Sequence, residues 1–137
     1  ELTSLEIEPF SFSLTDDDPE VRRQGENTVR RAMQVAAVME APGVLVIPGY
    51  VGLPWDPGAK PVRYDLAYER LRESLQALAP PAEELGVTVM IENIWNMFLL
   101  SPLEMRGMID PETGLRAVTA VSAHGVQSTK GTLGGGS

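Results

Sequence analysis

The segment of residues 86–105 constrains the fold more than any other part of the sequence. It begins with an apolar run, residues 87–91, whose length suits a buried parallel strand. A carboxylate, Glu92, follows that run directly, and a helix start follows soon after: the sequence from Ser101 to Glu104 is a capping box with proline at the first helical position. In parallel α/β folds, ligands bind at the carboxyl ends of strands, so Glu92 is the first candidate for a functional residue.

The residues before this segment alternate between strand and helix patterns. Residues 2–7 and 44–47 are short runs that predict strands, the first of them weakly. Asp18 followed by Pro19 predicts the start of a first helix, whose apolar residues recur at helical spacing over 21–37. Asp65 is predicted to cap a second helix, which we expect to kink or break at residues 80–81, where two prolines occur. The order strand, helix, strand, helix, strand, helix is typical of parallel strands joined by crossover helices, and so of an α/β fold.

The composition excludes several classes of function. The 137 residues suit one domain, with 43% hydrophobic and 22% charged residues. A net charge of −8 would repel a phosphate backbone, which argues against nucleic-acid binding. The sequence contains no apolar run near the ~20 residues of a membrane span, and its first residues lack the pattern of a secretory signal. With no cysteine, disulfides are excluded and a cytoplasmic location is expected.

Metal chemistry is limited by the single histidine, His124. A zinc site made of several histidines cannot be built from this chain, whereas a carboxylate-rich site for Mn²⁺ or Mg²⁺ is compatible with it. From composition alone, Glu92 is either such a functional carboxylate or a solvated charge at a strand end.

Several stretches together resemble the sugar phosphate isomerase/epimerase family, which has the xylose-isomerase-like TIM barrel fold. The most specific stretch runs from Glu92-Asn93-Ile94-Trp95-Asn96 through Ser101-Pro102-Leu103-Glu104-Met105. Weaker matching stretches are residues 13–15, 18–22, 44–49, 64–70, 78–80 and 83–87. The resemblance covers roughly residues 1–112. It implies a partial (β/α)8 TIM barrel of about three βα units, the third to the fifth, with parallel strands.

Residues 113–137 are expected to form an unmatched, disordered tail. Residues 117–121 alone have the composition of a further strand, whereas residues 131–137 are of low complexity and rich in glycine. In the family, the next strand ends in an aspartate with a histidine or asparagine three residues later. If His124 is placed at that later position, Val121 stands where the aspartate belongs.

The resemblance implies a function: metal-assisted proton transfer next to the carbonyl of a ketose or ketose phosphate. Glu92 would act as a catalytic acid/base and as a ligand of a divalent metal, with Mn²⁺ or Mg²⁺ favoured over Zn²⁺. Asn93, Trp95 and Asn96 would bind the sugar, although a loop packed against the barrel rim explains them equally well. The partners of Glu92 would come from later strands. The alternative is a catalytically inactive barrel fragment that only associates with itself, as a homo-oligomer.

Overall fold

The computed structural model describes residues 2–109 and 118–122, and of residues 120–122 only the backbone. The elements are β1 (Leu5–Glu6), α1 (Pro19–Val38), β2 (Gly43–Val46), α2 (Tyr64–Leu85), β3 (Thr88–Asn93), α3 (Pro102–Met108) and β4 (Val118–Ser122). The four strands form one sheet in the order β1-β2-β3-β4, and each adjacent pair is parallel. The predicted α/β architecture with parallel strands is therefore confirmed.

The predicted starts of α1 and α3 are confirmed by their caps. The Asp18 side chain accepts a hydrogen bond of 2.8 Å from the Glu20 N–H, and Pro19 follows as the first helical residue. Ser101 and Glu104 form the reciprocal capping box, in which the Ser101 hydroxyl accepts from the Glu104 N–H and the Glu104 carboxylate accepts from the Ser101 N–H. These two caps fix where the chain turns from each loop into a helix.

The cap predicted for α2 at Asp65 and the break predicted at its prolines are both wrong. The N-cap position is Arg63, which makes no side-chain cap, and Asp65 lies inside the first turn. The helix does not break at the two prolines but runs on to Leu85. Buried residues lie on both sides of the prolines, Leu78 before them and Ala82 after them, so packing offsets the roughly 3 kcal/mol that an interior proline costs.

The core lies between one face of the sheet and the helices. Alternate residues of β2 and β3 are buried on this helix-covered face, namely Val44, Val46, Val89 and Ile91. They pack with the inward residues of the three helices, including Val29, Met33, Leu71, Leu75, Leu78, Met105 and Met108. The opposite face, here called the open face, carries Glu6, Leu45, Met90 and Glu92, which are half-buried or exposed.

The predicted tail is described only over β4. That strand pairs with β3 from Val89↔Val118 to Asn93↔Ser122, close to the possible strand at residues 117–121. His124 and the other residues of the predicted tail lie outside the described residues. The domain boundary at residue 112 therefore stays a prediction.

Candidate functional site

Glu92 lies near the carboxyl end of β3, on the open face. The strand runs to Asn93, and Glu92 shares its face with Met90 because side chains alternate along a strand. It is half-buried, and burial in the protein raises the pKa of its carboxyl above the usual value. The negative charge of Glu6 raises the pKa further. A carboxyl with a raised pKa holds a proton more tightly than an ordinary glutamate does.

Glu6 is a residue that sequence reasoning missed. It belongs to β1, where the register pairs it with Leu45, and this places it on the open face with Glu92. The predicted strand at residues 2–7 contained Glu6, but the short mixed run gave no sign of which side chains would face the core. Only the register of the sheet brings the two carboxylates onto one face.

Asn93 lies on the opposite side of the strand from Glu92. Its side-chain Nδ2 donates a hydrogen bond of 3.3 Å to the Leu99 carbonyl, within the loop that follows β3. Its Oδ1 atom is buried and has no hydrogen-bond partner among the residues that the structure describes. An unpaired buried acceptor costs about 1–3 kcal/mol, so this amide is a place where a donor from another group would be favourable.

Trp95 and Asn96 are adjacent in sequence but differ completely in exposure. The side chain of Trp95 is 76% exposed in the loop after β3, whereas that of Asn96 is 1% exposed. The Asn96 Nδ2 donates a 2.6 Å hydrogen bond to the Gly49 carbonyl, and its Oδ1 accepts from the Phe98 N–H at 3.3 Å. The structure thus places Trp95 where a ligand can reach it and Asn96 inside the loop packing.

Predicted site residues therefore divide into two groups. Glu92 faces the open side of the sheet, and Trp95 is exposed on the loop that follows the same strand. Asn93 and Asn96 both form hydrogen bonds within the chain. Their roles in sugar binding and catalysis stay predictions, as does that of Glu92.

The described residues do not make up a divalent-metal site by themselves. Among residues 2–109 and 118–122, no group of three or more carboxylate or histidine side chains is placed to hold a metal ion. Glu92 and Glu6 offer carboxylate oxygens on one face, but a divalent ion of the Mg²⁺ or Mn²⁺ type needs about six ligands. A metal bound by Glu92 would therefore need most of its ligands from water, from the substrate or from other protein groups.

The helices that the structure describes are α1, α2 and α3. None of them combines the length and the apolar character that crossing a bilayer requires.

Comparison with protein families gives a match over nearly the whole sequence. A family described as xylose isomerase-like TIM barrel matches residues 1–126. The comparison with curated proteins gives no match.

Several solved structures are similar in fold. A 3-keto-D-glucoside 4-epimerase from E. coli is 19% identical with a TM-score of 0.72, over 88% of this chain and 47% of that one. A D-psicose 3-epimerase, solved in the presence of D-fructose, is 20% identical with a TM-score of 0.72, over 88% of this chain and 42% of that one. A D-psicose 3-epimerase from Clostridium cellulolyticum H10 is 17% identical with a TM-score of 0.67, over 80% of this chain and 38% of that one.

These likenesses establish the fold. At identities of 17–20% they show the fold alone. The chain spans less than half of the length of each of these three structures. Its four parallel strands and their helices are accordingly a partial TIM barrel, as predicted.

Proposed function

The chain belongs to the xylose isomerase-like TIM barrel family, and we propose that it carries part of the active site of a sugar isomerase or epimerase. The observation that carries this proposal is the half-buried Glu92 near the carboxyl end of β3, on the open face of the sheet. In TIM barrels, catalytic groups come from this end of the strands. The solved structures of similar fold include epimerases of keto sugars, which supports a ketose or ketose phosphate as the substrate class.

The proposed reaction is proton transfer at a carbon next to the carbonyl of the sugar. The ionised Glu92 takes the proton from that carbon, and the electron pair of the broken C–H bond moves toward the carbonyl oxygen to give an enediolate. A proton then returns to the carbon from a second acid. The raised pKa of Glu92 supports the role of a base, because it brings the proton affinity of the carboxylate closer to that of its substrate.

Trp95 is proposed to stack on the apolar face of the sugar ring, and its 76% exposure supports this. Asn93 is proposed as a partner for a sugar hydroxyl because its buried Oδ1 has no hydrogen-bond donor among the described residues, and it has less support than Trp95 because it lies on the opposite side of β3 from Glu92. A direct contact between Asn96 and the sugar is also part of the predicted site, and it has less support because Asn96 is 1% exposed.

Glu92 is also proposed as one ligand of a divalent metal ion, Mn²⁺ or Mg²⁺. When bound, such an ion would stabilise the charge that develops on the sugar oxygens. No step above depends on it, because the described residues do not complete its coordination.

Deuterium exchange tests the reaction. The full chain is incubated with a ketose such as D-fructose in D₂O, with and without Mn²⁺, and NMR follows loss of the proton next to the carbonyl. We expect exchange that is lost in Glu92→Gln and kept in Glu73→Gln, a matched substitution at an exposed site on α2. Equal exchange in the chain and in Glu92→Gln would contradict the role of Glu92, and no exchange above buffer would contradict activity of the chain by itself.

Metal binding is tested separately by Mn²⁺ titration followed by electron paramagnetic resonance. Saturable binding that weakens in Glu92→Gln but not in Glu73→Gln is the expected result. Binding that is the same in all three proteins would exclude Glu92 as a ligand.

A second proposal is that the chain associates with itself without catalysis. It is favoured by the sheet, in which β1 and β4 are the outer strands among the described residues, since strand edges pair readily with other chains. Size-exclusion chromatography with light scattering decides this: a homo-oligomer is expected, and a monomer at high micromolar concentration would contradict it.

A further inference from the structure

Three loops meet at Gly49, at the carboxyl end of β2. The Gly49 carbonyl accepts the 2.6 Å hydrogen bond from Asn96 in the loop after β3. On its other side lies Thr15, in the loop after β1: a Cβ atom on Gly49 would be 2.4 Å from the Thr15 Oγ1. Gly49 has a φ of +136°, which side chains other than glycine rarely adopt. Glycine at this position therefore lets the two neighbouring loops approach the same peptide.

Thr15 fastens the loop after β1 to the loop after β2. Its Oγ1 accepts a hydrogen bond from the Tyr50 N–H and donates one to the Tyr50 carbonyl, each 3.2 Å long. Next to it, the Leu14 N–H donates to the Pro48 carbonyl at 2.8 Å. Thr15 is completely buried, so these bonds are shielded from water.

Asn96 fastens the loop after β3 to the same segment. Besides the side-chain bonds to Gly49 and Phe98, its backbone carbonyl accepts from the Val51 N–H at 3.0 Å and from the Gly52 N–H at 3.3 Å. One residue thus makes three hydrogen bonds to the loop after β2 and one to its own loop. Since Asn96 is 1% exposed, its side-chain amide forms its hydrogen bonds inside the protein.

We infer that Asn96 is a positioning residue: it locks the loop of residues 94–101 to the loop of residues 48–63, so that both form one rigid rim at the carboxyl end of the sheet. The neighbouring Trp95 is then held at a fixed place on that rim although its own side chain is mostly exposed. The link between Trp95 and a sugar rests on the proposed function, whereas the rigid rim does not.

Amide hydrogen exchange, measured by NMR on the full chain, tests the rim without any ligand. In Asn96→Ala the backbone carbonyl of residue 96 is kept, so a local effect would leave the Val51 and Gly52 amides protected. If the side chain locks the loops together, exchange at Val51 and Gly52 instead accelerates at least about tenfold, while the sheet amides of Val89 and Ile91 keep their protection.

Asn96→Asp gives a second and sharper variant. It keeps an oxygen to accept from the Phe98 N–H but loses the donor to the Gly49 carbonyl. Faster exchange at Val51 and Gly52 with Phe98 still protected is expected. Asn27→Asp on the exposed side of α1 is the matched control and should change none of these amides.

The inference is overturned if Val51 and Gly52 exchange as in the unsubstituted chain in both variants. It is also overturned if every amide, those of β3 included, accelerates equally, because Asn96 would then contribute only to global stability.

A ligand measurement separates the rim from the proposed function. The sequence has two tryptophans, so Trp55→Phe leaves Trp95 as the only fluorophore of that type. D-Fructose is titrated into this variant and into its Asn96→Ala derivative, and an affinity that falls about fivefold or more is the expected result. If D-fructose does not change Trp95 fluorescence while the exchange results are as expected, the sugar proposal fails and the rigid rim stands.

Discussion

The two faces of the sheet are built from neighbouring residues and yet have opposite chemical character. Val89 and Ile91 of β3 are at most 1% exposed and pack among helix residues, whereas Met90 and Glu92, alternating with them, lie half-buried on the open face. On the helix-covered face, the requirement is close packing of apolar groups. On the open face, two carboxylates share one surface, and burial and the charge of Glu6 together raise the pKa of Glu92.

The difference shows that the helix-covered face stabilises the fold, whereas the open face can hold groups that titrate. A polar group on the helix-covered face would cost several kcal/mol, so that face can only hold the fold together. A carboxylate on the open face keeps some contact with water and can therefore titrate. At the carboxyl ends of β1, β2 and β3, the loops that follow these strands are joined by hydrogen bonds around Gly49.

The strongest test of the comparison substitutes adjacent residues on the two faces. Ile91→Ala removes a buried side chain and leaves a cavity, so the free energy of unfolding should fall by about 2–5 kcal/mol. Met90→Ala removes a side chain that is only half-buried and should cost on the order of 1 kcal/mol. Urea denaturation followed by circular dichroism measures both. Equal losses would show that the open face is covered in solution, as it would be in a self-associated chain.

A second test compares two glycines of the loop after β2. Gly49→Ala forces a side chain into a φ of +136° and against the Thr15 hydroxyl, which should cost about 1–3 kcal/mol. Gly52→Ala is the matched control, because its Cβ would meet only the flexible tip of Met97 at 3.0 Å. Urea denaturation of the two variants gives the comparison. A Gly49→Ala variant as stable as Gly52→Ala would mean that the loops do not meet at Gly49 as described.

The sequence was sufficient to predict the helix-covered face and insufficient for most of the rim. Helical spacing and short apolar runs predicted the order of elements, and the caps at Asp18 and Ser101 marked helix starts, because these signals depend on neighbours a few residues away. The continuation of α2 through its prolines was missed because packing with distant residues overrides the local cost. Glu6 and Thr15 were missed for the same reason: their importance comes from residues 35 or more positions away.

Within the candidate site, the position of Glu92 at a strand end was predictable from the residues on either side of it. The contrast between Trp95 and Asn96 was not, since a polar loop sequence does not say which side chain will turn inward. Here the buried residue is the polar one, because Asn96 can satisfy backbone groups of two loops while tryptophan cannot.

A third test concerns the contact that anchors α3 beside α2. The Tyr64 hydroxyl donates a 2.6 Å hydrogen bond to the Glu104 Oε1, and its ring meets Phe98 edge to face at 5.6 Å. Tyr64→Phe keeps the ring and loses the hydrogen bond, so we expect a loss of about 1 kcal/mol at neutral pH. Tyr50→Phe is the control, since the Tyr50 hydroxyl makes no hydrogen bond to the described residues.

The effect of Tyr64 should also depend on pH. Burial and the hydrogen bond to Glu104 raise the pKa of Tyr64 to about 12, above its usual value of 10.0. The unfolded chain therefore loses this proton first, and the stabilisation is fully present below pH 10 and lost as the pH rises toward 12. Urea titrations of the chain and of Tyr64→Phe between these values should converge. A difference that stays constant with pH would contradict the bond to Glu104.

The smallest expected effect concerns Glu92 and tests the open face directly. Because its pKa is raised in the folded chain, the folded state holds this proton more tightly than the unfolded state does. Stability contributed by the protonated form is thus fully present below the usual pKa of 4.5 and is lost as the pH rises through the raised value. Above that value, the ionised carboxylate lowers the stability of the fold, because it is half-buried and because it is repelled by the charge of Glu6.

Glu92→Gln removes this charge, so the variant should be more stable than the unsubstituted chain at neutral pH, and the difference should shrink as the pH falls toward 4.5. Glu6→Gln should give part of the same gain in stability, since the charge of Glu6 is the smaller of the two causes that raise the pKa of Glu92. Thermal unfolding across this pH range measures both, with Glu73→Gln as the exposed control. If Glu92→Gln is no more stable than Glu73→Gln at neutral pH, the open face is as well solvated as any helix surface. The carboxylate would then lack the environment on which its proposed role as a base depends.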